Sequence, residues 1–232
     1  MPQIRLLGIH KTYKSAGRAT SAIKGVSLEI ESGDFVAIIG ASGHGKSTLL
    51  NILGCLDQPD RGEYWIGEER VSWSNQQQLS RIRGSVVSTI FQDFELVPHW
   101  NVLENVSMPL RFHNVGIAES NLKAMQVLQR VGLLSQADKF PHELSGGEQQ
   151  RCGIARALCS APSIILADEP TGNLDPATGE SIMGILKSFQ AKGVTLIVVT
   201  HDMAVAQMAN HIVRINQGRV ERVERESCST SV

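Results

Sequence analysis

The sequence predicts an α/β fold built around a parallel sheet, and three features carry that expectation. The apolar runs at 164–166 and 196–199 are continuous rather than alternating, as suits parallel strands buried on both faces. Helical stretches at 48–54 and 177–191 separate runs of strand length, the alternation of an α/β protein. A further apolar run at 35–39 leads straight into a glycine-rich turn and then a helix.

Taken in order, strands are expected at 4–9, 26–30, 35–39, 86–91, 163–167, 195–200 and 212–215. Between about 101 and 160 the pattern is mainly helical, with segments at 103–111, 119–131 and 147–160. This reads as a helical lobe, residues 93–160, inserted into an α/β core of residues 1–92 and 161–220. The whole is one domain of 232 residues, large enough to bury a core without disulfides or metal. The stretch ERVERESCSTSV, residues 221–232, reads as a polar tail.

Composition removes several functions. Twenty-two Lys+Arg against 23 Asp+Glu give a formal net charge of -1, which supplies no general basic face for nucleic acid. Cys55, Cys152, Cys159 and Cys228 form no CxxC pair and no zinc-ligand spacing. They read as small apolar groups, and free thiols suit the cytosol. The N-terminal MPQIRLLGIHKTYK has no signal-peptide pattern. No stretch approaches the roughly 20 apolar residues of a spanning helix, so a membrane role has to come through a partner.

The glycine-rich turn is Gly40-Ala41-Ser42-Gly43-His44-Gly45-Lys46-Ser47. This is the G-x-x-x-x-G-K-[ST] pattern of a P-loop, in its required context of strand, loop and helix. Its glycines let backbone N–H groups turn inward around an anion, and the helix that follows points its positive end at the same place. Lys46 is placed to reach β and γ phosphates, and the Ser47 hydroxyl to ligate Mg²⁺. Gly40, Ser42, Gly43, Gly45, Lys46, Ser47 and Thr48 are the nucleotide-binding candidates of the loop. His44 contributes no required side chain to the pattern. His10, His99, His113, His142 and His211 have no ligand spacing.

A second site follows from Ile164-Ile165-Leu166-Ala167-Asp168-Glu169, an apolar strand ending in two acids. Ligands of parallel α/β sheets bind at the carboxyl ends of the strands. Asp168 is therefore expected at the Mg²⁺ held by Ser47. Glu169 is expected near the γ-phosphate, where a general base polarises attacking water.

Neither feature separates a kinase from a GTPase or a transport motor. Leu144-Ser145-Gly146-Gly147-Glu148-Gln149-Gln150-Arg151 does. It closely resembles the LSGGQ signature of the ABC (ATP-binding cassette) ATPases, with Glu148 where the family most often has Gln. Ser145 and two glycines at a helix N-terminus also make a second phosphate-binding surface on physical grounds. One P-loop already encloses the phosphates from its side, so a second surface suggests that two chains share each nucleotide. The resemblance implies further roles, from Tyr13 to about Val220. Gln92 resembles the Q-loop glutamine, a sensor of Mg²⁺ and the γ-phosphate. His201 resembles the switch histidine, Asp175 the D-loop at a dimer seam, and Tyr13 the aromatic that stacks on adenine. Ser145 and Gly147 would close the site of the other copy. The resemblance also implies an N-terminal antiparallel β portion beside the parallel P-loop NTPase core. Catalytic candidates are Glu169, His201 and Gln92. Metal candidates are Ser47, Gln92 and Asp168.

Within that family, Asn51-Ile52-Leu53-Gly54-Cys55-Leu56-Asp57, Glu169-Pro170-Thr171-Gly172-Asn173-Leu174-Asp175, Leu103-Glu104-Asn105-Val106 and Met108-Pro109-Leu110 resemble the macrolide-efflux and lipoprotein-release group of bacterial ATPases. The resemblance implies ATP and Mg²⁺ as cofactors. Its implied partners are a second copy of the chain, an integral-membrane permease and a periplasmic adaptor, with no nucleic acid. The implied location is peripheral, on the cytoplasmic face of the inner membrane. The alternative within the group is a regulatory ATPase that controls a cell-envelope enzyme without transport. ABC proteins of DNA repair or translation carry coiled-coil insertions or two cassettes, and this chain carries neither. Phe94, Leu96 and Trp100, next to Gln92, are either a docking place for a permease helix or lobe core.

Overall fold

In the computed structural model, which describes residues 3–15 and 18–225, the chain opens with β1 (Ile4–Ser15) and β2 (Arg18–Ile30). They are followed by β3 (Phe35–Ile39) and α1 (Lys46–Leu53). Next come β4 (Arg61–Ile66), β5 (Glu69–Arg70), a short α2 (Gln76–Arg81) and β6 (Val87–Ile90). Three helices, α3 (Val102–Phe112), α4 (Ile117–Arg130) and α5 (Gly146–Cys159), stand between β6 and β7 (Ile164–Asp168). The remainder is α6 (Pro176–Gln190), β8 (Thr195–Val199), α7 (Met203–Ala206), β9 (His211–Asn216) and β10 (Arg219–Arg225).

The strands form two sheets. The larger runs β10-β9-β3-β8-β7-β6, with β10 antiparallel to β9 and the other pairings parallel. The smaller, β2-β1-β4-β5, is antiparallel throughout. The fold class is therefore the one expected, a parallel α/β core beside an antiparallel N-terminal sheet.

The continuous apolar runs now have their reason. Phe35, Ala37 and Ile39 of β3 face one apolar layer together with helices α3 to α6. Val36 and Ile38 face the other, shared with α1 and the small sheet. β7 divides the same way, Ile165 and Ala167 against Ile164 and Leu166. A strand between two layers has no solvent face and needs no polar alternation. Each fully buried Ile or Leu on these strands contributes about 1.5–3 kcal/mol. This burial is what fixes the strand ends that carry the site.

Local chemistry sets the helix starts. Asn101 and Glu104 make a reciprocal capping box on α3, and Ser145 and Glu148 make another on α5. Asp175 caps α6, with Pro176 in the first turn. Buried Asn105 donates to the carbonyls of Val97, Trp100 and Asn101 and accepts from Val97 N–H at 2.8 Å. It thereby ties the segment after Gln92 to α3.

Most differences from the sequence reading lie in the antiparallel parts; the short α7 is also additional. β4, β5, α2 and the first half of β2 are additional elements, and β1 runs on to Ser15. The run set aside as a polar tail from 221 pairs with β9 through Arg225, and residues 226–232 lie outside the described residues. Strands with one solvent face alternate apolar with charged residues, and that pattern is easily read as loop.

Candidate functional site

The carboxyl ends of β3, β8, β7 and β6 are neighbours because those strands are adjacent and parallel. Each delivers one piece of chemistry to the same cleft, of about 560 Å³. The loop after β3 brings Gly40, Ser42, Gly43 and Gly45, and the start of α1 brings Lys46, Ser47 and Thr48. β6 is followed by Gln92, β7 by Asp168 at its last position and Glu169 beyond it, and β8 by His201. Tyr13 enters from the small sheet, opposite Thr20 of β2.

The loop is shaped by its glycines where they have no alternative. Gly45 sits at φ 100, and a Cβ there would strike the Ala22 carbonyl. A Cβ on Gly40 would strike the Ile215 carbonyl. Lys46 Nζ donates to the carbonyls of Gly40 at 2.8 Å and Ala41 at 3.1 Å, which holds the ammonium over the loop. His44 is not among the residues lining the cleft. Its carbonyl accepts from Gly218 N–H at 3.0 Å, so position 44 serves through backbone. His44→Ser should keep ATPase activity within about threefold, with the pH optimum in place, since the cradle is made of main-chain N–H groups. A pH–rate profile of both proteins checks this, and an optimum displaced by a unit would show that the imidazole matters.

The acids are arranged asymmetrically. Asp168 is raised above the ordinary carboxylate range, first by burial and then by the charge of Glu169; the Ser47 hydroxyl bonded to it and the nearby Lys46 pull the other way. Glu169 has φ 45, in the left-handed region that non-glycine residues seldom adopt. Its N–H donates to Val199 O at 2.9 Å and its carbonyl accepts from Gly172 N–H at 3.0 Å. Its carboxylate Oε1 stands 2.9 Å from His201 Nδ1. The His201 side chain is 74 % exposed and that of Glu169 is 15 %, so the acid is the more sheltered of the two and the imidazole faces solvent.

The Asp168 carboxylate and the Ser47 hydroxyl it touches are hard oxygen donors, suited to Mg²⁺. Among the described residues no group of three or more His, Cys, Asp or Glu could hold a metal.

Three predicted residues lie elsewhere. Ser145, Gly147 and Asp175 are not in this cleft. They meet where α5 and α6 begin. A Cβ on Gly147 would crowd Thr178 Cγ2 at 2.7 Å, and Asp175 accepts from Thr178 N–H at 3.1 Å. Ser145 Oγ donates to Glu148 Oε2 at 2.9 Å, and bonds from the Ser145 N–H and hydroxyl hold the Glu148 carboxyl below its ordinary range. Sequence reasoning missed Thr20, Ala22 and Val199 as cleft residues. Thr20 and Ala22 reach it through a β1–β2 pairing that no local motif announces.

The ABC transporter family profile matches residues 23–172. An uncharacterized ABC transporter ATP-binding protein of Thermotoga maritima is 43% identical over 96% of this chain and 95% of its own length. The chain belongs to the ABC transporter family, as an ATP-binding protein. It is thus an ABC ATPase. It is also similar to a macrolide export ATP-binding/permease protein of Syntrophobacter fumaroxidans, 44% identical over 95% of this chain but only 31% of that protein. The chain therefore spans about a third of that relative. Among solved structures, an ATP-binding cassette described as a dimeric post-hydrolysis state bound to ADP and Pi superposes with a TM-score of 0.90. It is 43% identical, covering 96% of this chain and 98% of that one.

Proposed function

We propose that this ABC ATPase dimerises head to tail on two ATP molecules and uses their hydrolysis to drive a separate membrane permease. The observation that carries the proposal is the split of the phosphate-binding chemistry. Loop, carboxylates, Gln92 and His201 share one cleft, whereas Ser145 and Gly147 lie at the start of α5, outside it. A second copy turned about a two-fold axis would bring its Ser145 surface over the first copy's cleft.

In this scheme the loop N–H groups and Lys46 seat the phosphates. Ser47 and Asp168 would hold Mg²⁺, with Gln92 beside it, and the metal would neutralise charge on the β- and γ-oxygens. Glu169 accepts a proton from the attacking water, whose oxygen bonds to the γ-phosphorus while the bond to ADP breaks. His201, bonded to Glu169, is positioned to donate to the γ-phosphate. Tyr13 offers its ring to adenine. Loss of the γ-phosphate removes the shared contact, and the dimer opens.

Among the described residues no helix is long and apolar enough to cross a membrane. Relatives described as macrolide and pyoverdine export proteins join an ATP-binding part to a permease. A groove of about 290 Å³ that includes Phe91, Glu95, Met108 and Arg156 would receive a permease helix. Leu96 packs on the lobe core instead. Location on the cytoplasmic face of the inner membrane, efflux or lipoprotein release as the driven event, and a periplasmic adaptor all follow from the same reading. The regulatory alternative shares every step up to the permease.

Sedimentation tests the dimer. With hydrolysis blocked by Glu169→Gln, the chain with ATP and Mg²⁺ should double in mass, and adding Ser145→Arg should leave ATP binding yet keep it single. A Glu169→Gln chain that still doubles when it carries Ser145→Arg would refute the shared site.

A further inference from the structure

Tyr13 is restrained in a way that a base-stacking ring alone does not require. The residue is 41 % exposed at the cleft, where a free aromatic would sample several rotamers. Instead its hydroxyl donates to Asp57 Oδ2 at 2.6 Å. Lys11 Nζ lies 5.2 Å from the centre of the same ring, on one face of it. That ammonium donates to Asp57 Oδ1 at 2.5 Å and to Gln58 O at 2.6 Å. The Gln58 N–H adds a third donor to Asp57, at 2.7 Å.

Asp57 is itself fixed to the phosphate-binding element. It follows α1, whose first residues are Lys46 and Ser47, and its N–H donates to Asn51 O of that helix at 3.2 Å. The chain of contacts therefore runs from the P-loop through α1 to Asp57 and on to the ring in β1. Burial would raise the Asp57 carboxyl, but bonds from Lys11 and Tyr13 outweigh it and hold the group below its ordinary range. Burial and the bond to Asp57 raise the Tyr13 phenol, against a lowering contact with the Thr48 hydroxyl of α1.

We propose that Asp57 and Lys11 are positioning residues for the nucleotide base: they fix the distance and tilt of the Tyr13 ring relative to the P-loop, so that a purine meets the ring's open face once its phosphates are seated. This rests on the ATP reading of the cleft. With Lys11 over one face, a base would take the other. Ordering the ring before binding lowers the entropy lost on association. The hydroxyl then contributes to ATP affinity by aligning the ring.

Calorimetric titration of the full chain with ATP and with inorganic tripolyphosphate tests this, because tripolyphosphate has no base. Tyr13→Phe keeps the ring and removes one donor. It should raise the Kd for ATP about 3- to 10-fold while that for tripolyphosphate stays within about twofold. Asp57→Ala should do the same, and the double variant should add little to Asp57→Ala alone, since both changes release one restraint. A Tyr13→Phe protein that binds ATP as the wild type does overturns the positioning role. So does equal weakening of both ligands, which marks a merely structural contact. A wild-type chain that fails to bind ATP at all overturns the ATP reading and this inference with it.

Discussion

Glu169→Gln should leave ATP binding intact and slow phosphate release by about 10²- to 10⁴-fold, the share a general base supplies. The substitution is chemically narrow. Gln keeps the size of the side chain, can keep the contact to His201 Nδ1 now 2.9 Å from Oε1, and leaves the backbone at φ 45 unchanged. That backbone strain, on the order of 1–3 kcal/mol for a non-glycine residue, is held by the bonds to Val199 O and Gly172 N–H in wild type and variant alike. Only the capacity to accept a proton is lost. With hydrolysis blocked, ATP should accumulate a closed dimer of doubled mass. Phosphate release and sedimentation, measured side by side, check both halves. A variant that turns over at the wild-type rate would remove Glu169 from the role of base.

The parallel core was readable because its physics is local and repetitive. Residues 35–39, 164–166 and 196–199 are apolar without interruption, and their two-sided burial leaves no other pattern available. The P-loop was readable for a related reason. Gly40 and Gly45 sit where any side chain would collide with backbone, so the motif's spacing is dictated by geometry. Asp168 and Glu169 could be placed because a strand's carboxyl end is the ligand end of such a sheet.

Other features depend on partners distant in sequence. β4 carries Arg61 and Glu63 and buries only Tyr64 fully, and β10 reads RVERVER; those charges disguised both as loop. Tyr13 could be named as a ring candidate, but its hold by Asp57 joins residues 44 apart in sequence. That contact exists only after the small sheet has packed on α1. The signature was legible as a motif, yet its distance from the P-loop cleft is a tertiary fact. So is the crowding of Gly147 by Thr178, which gives that glycine a packing reason besides phosphate access.

Two cassettes linked in tandem test the shared site most directly. Lys46→Ala removes the ammonium from the P-loop, and Ser145→Arg blocks the start of α5 with bulk. In one linked dimer the first copy carries Lys46→Ala and the second Ser145→Arg. Both defects then fall in one composite site, and the other site is whole. In a second linked dimer one copy carries both changes and its partner is wild type, so that each composite site has one defect. ATP-driven closure, followed by energy transfer between labels on the two copies, should persist in the first linked dimer and fail in the second. Closure that favours the second would mean that each copy completes its own site, and would contradict the shared-nucleotide dimer on which the transport mechanism depends.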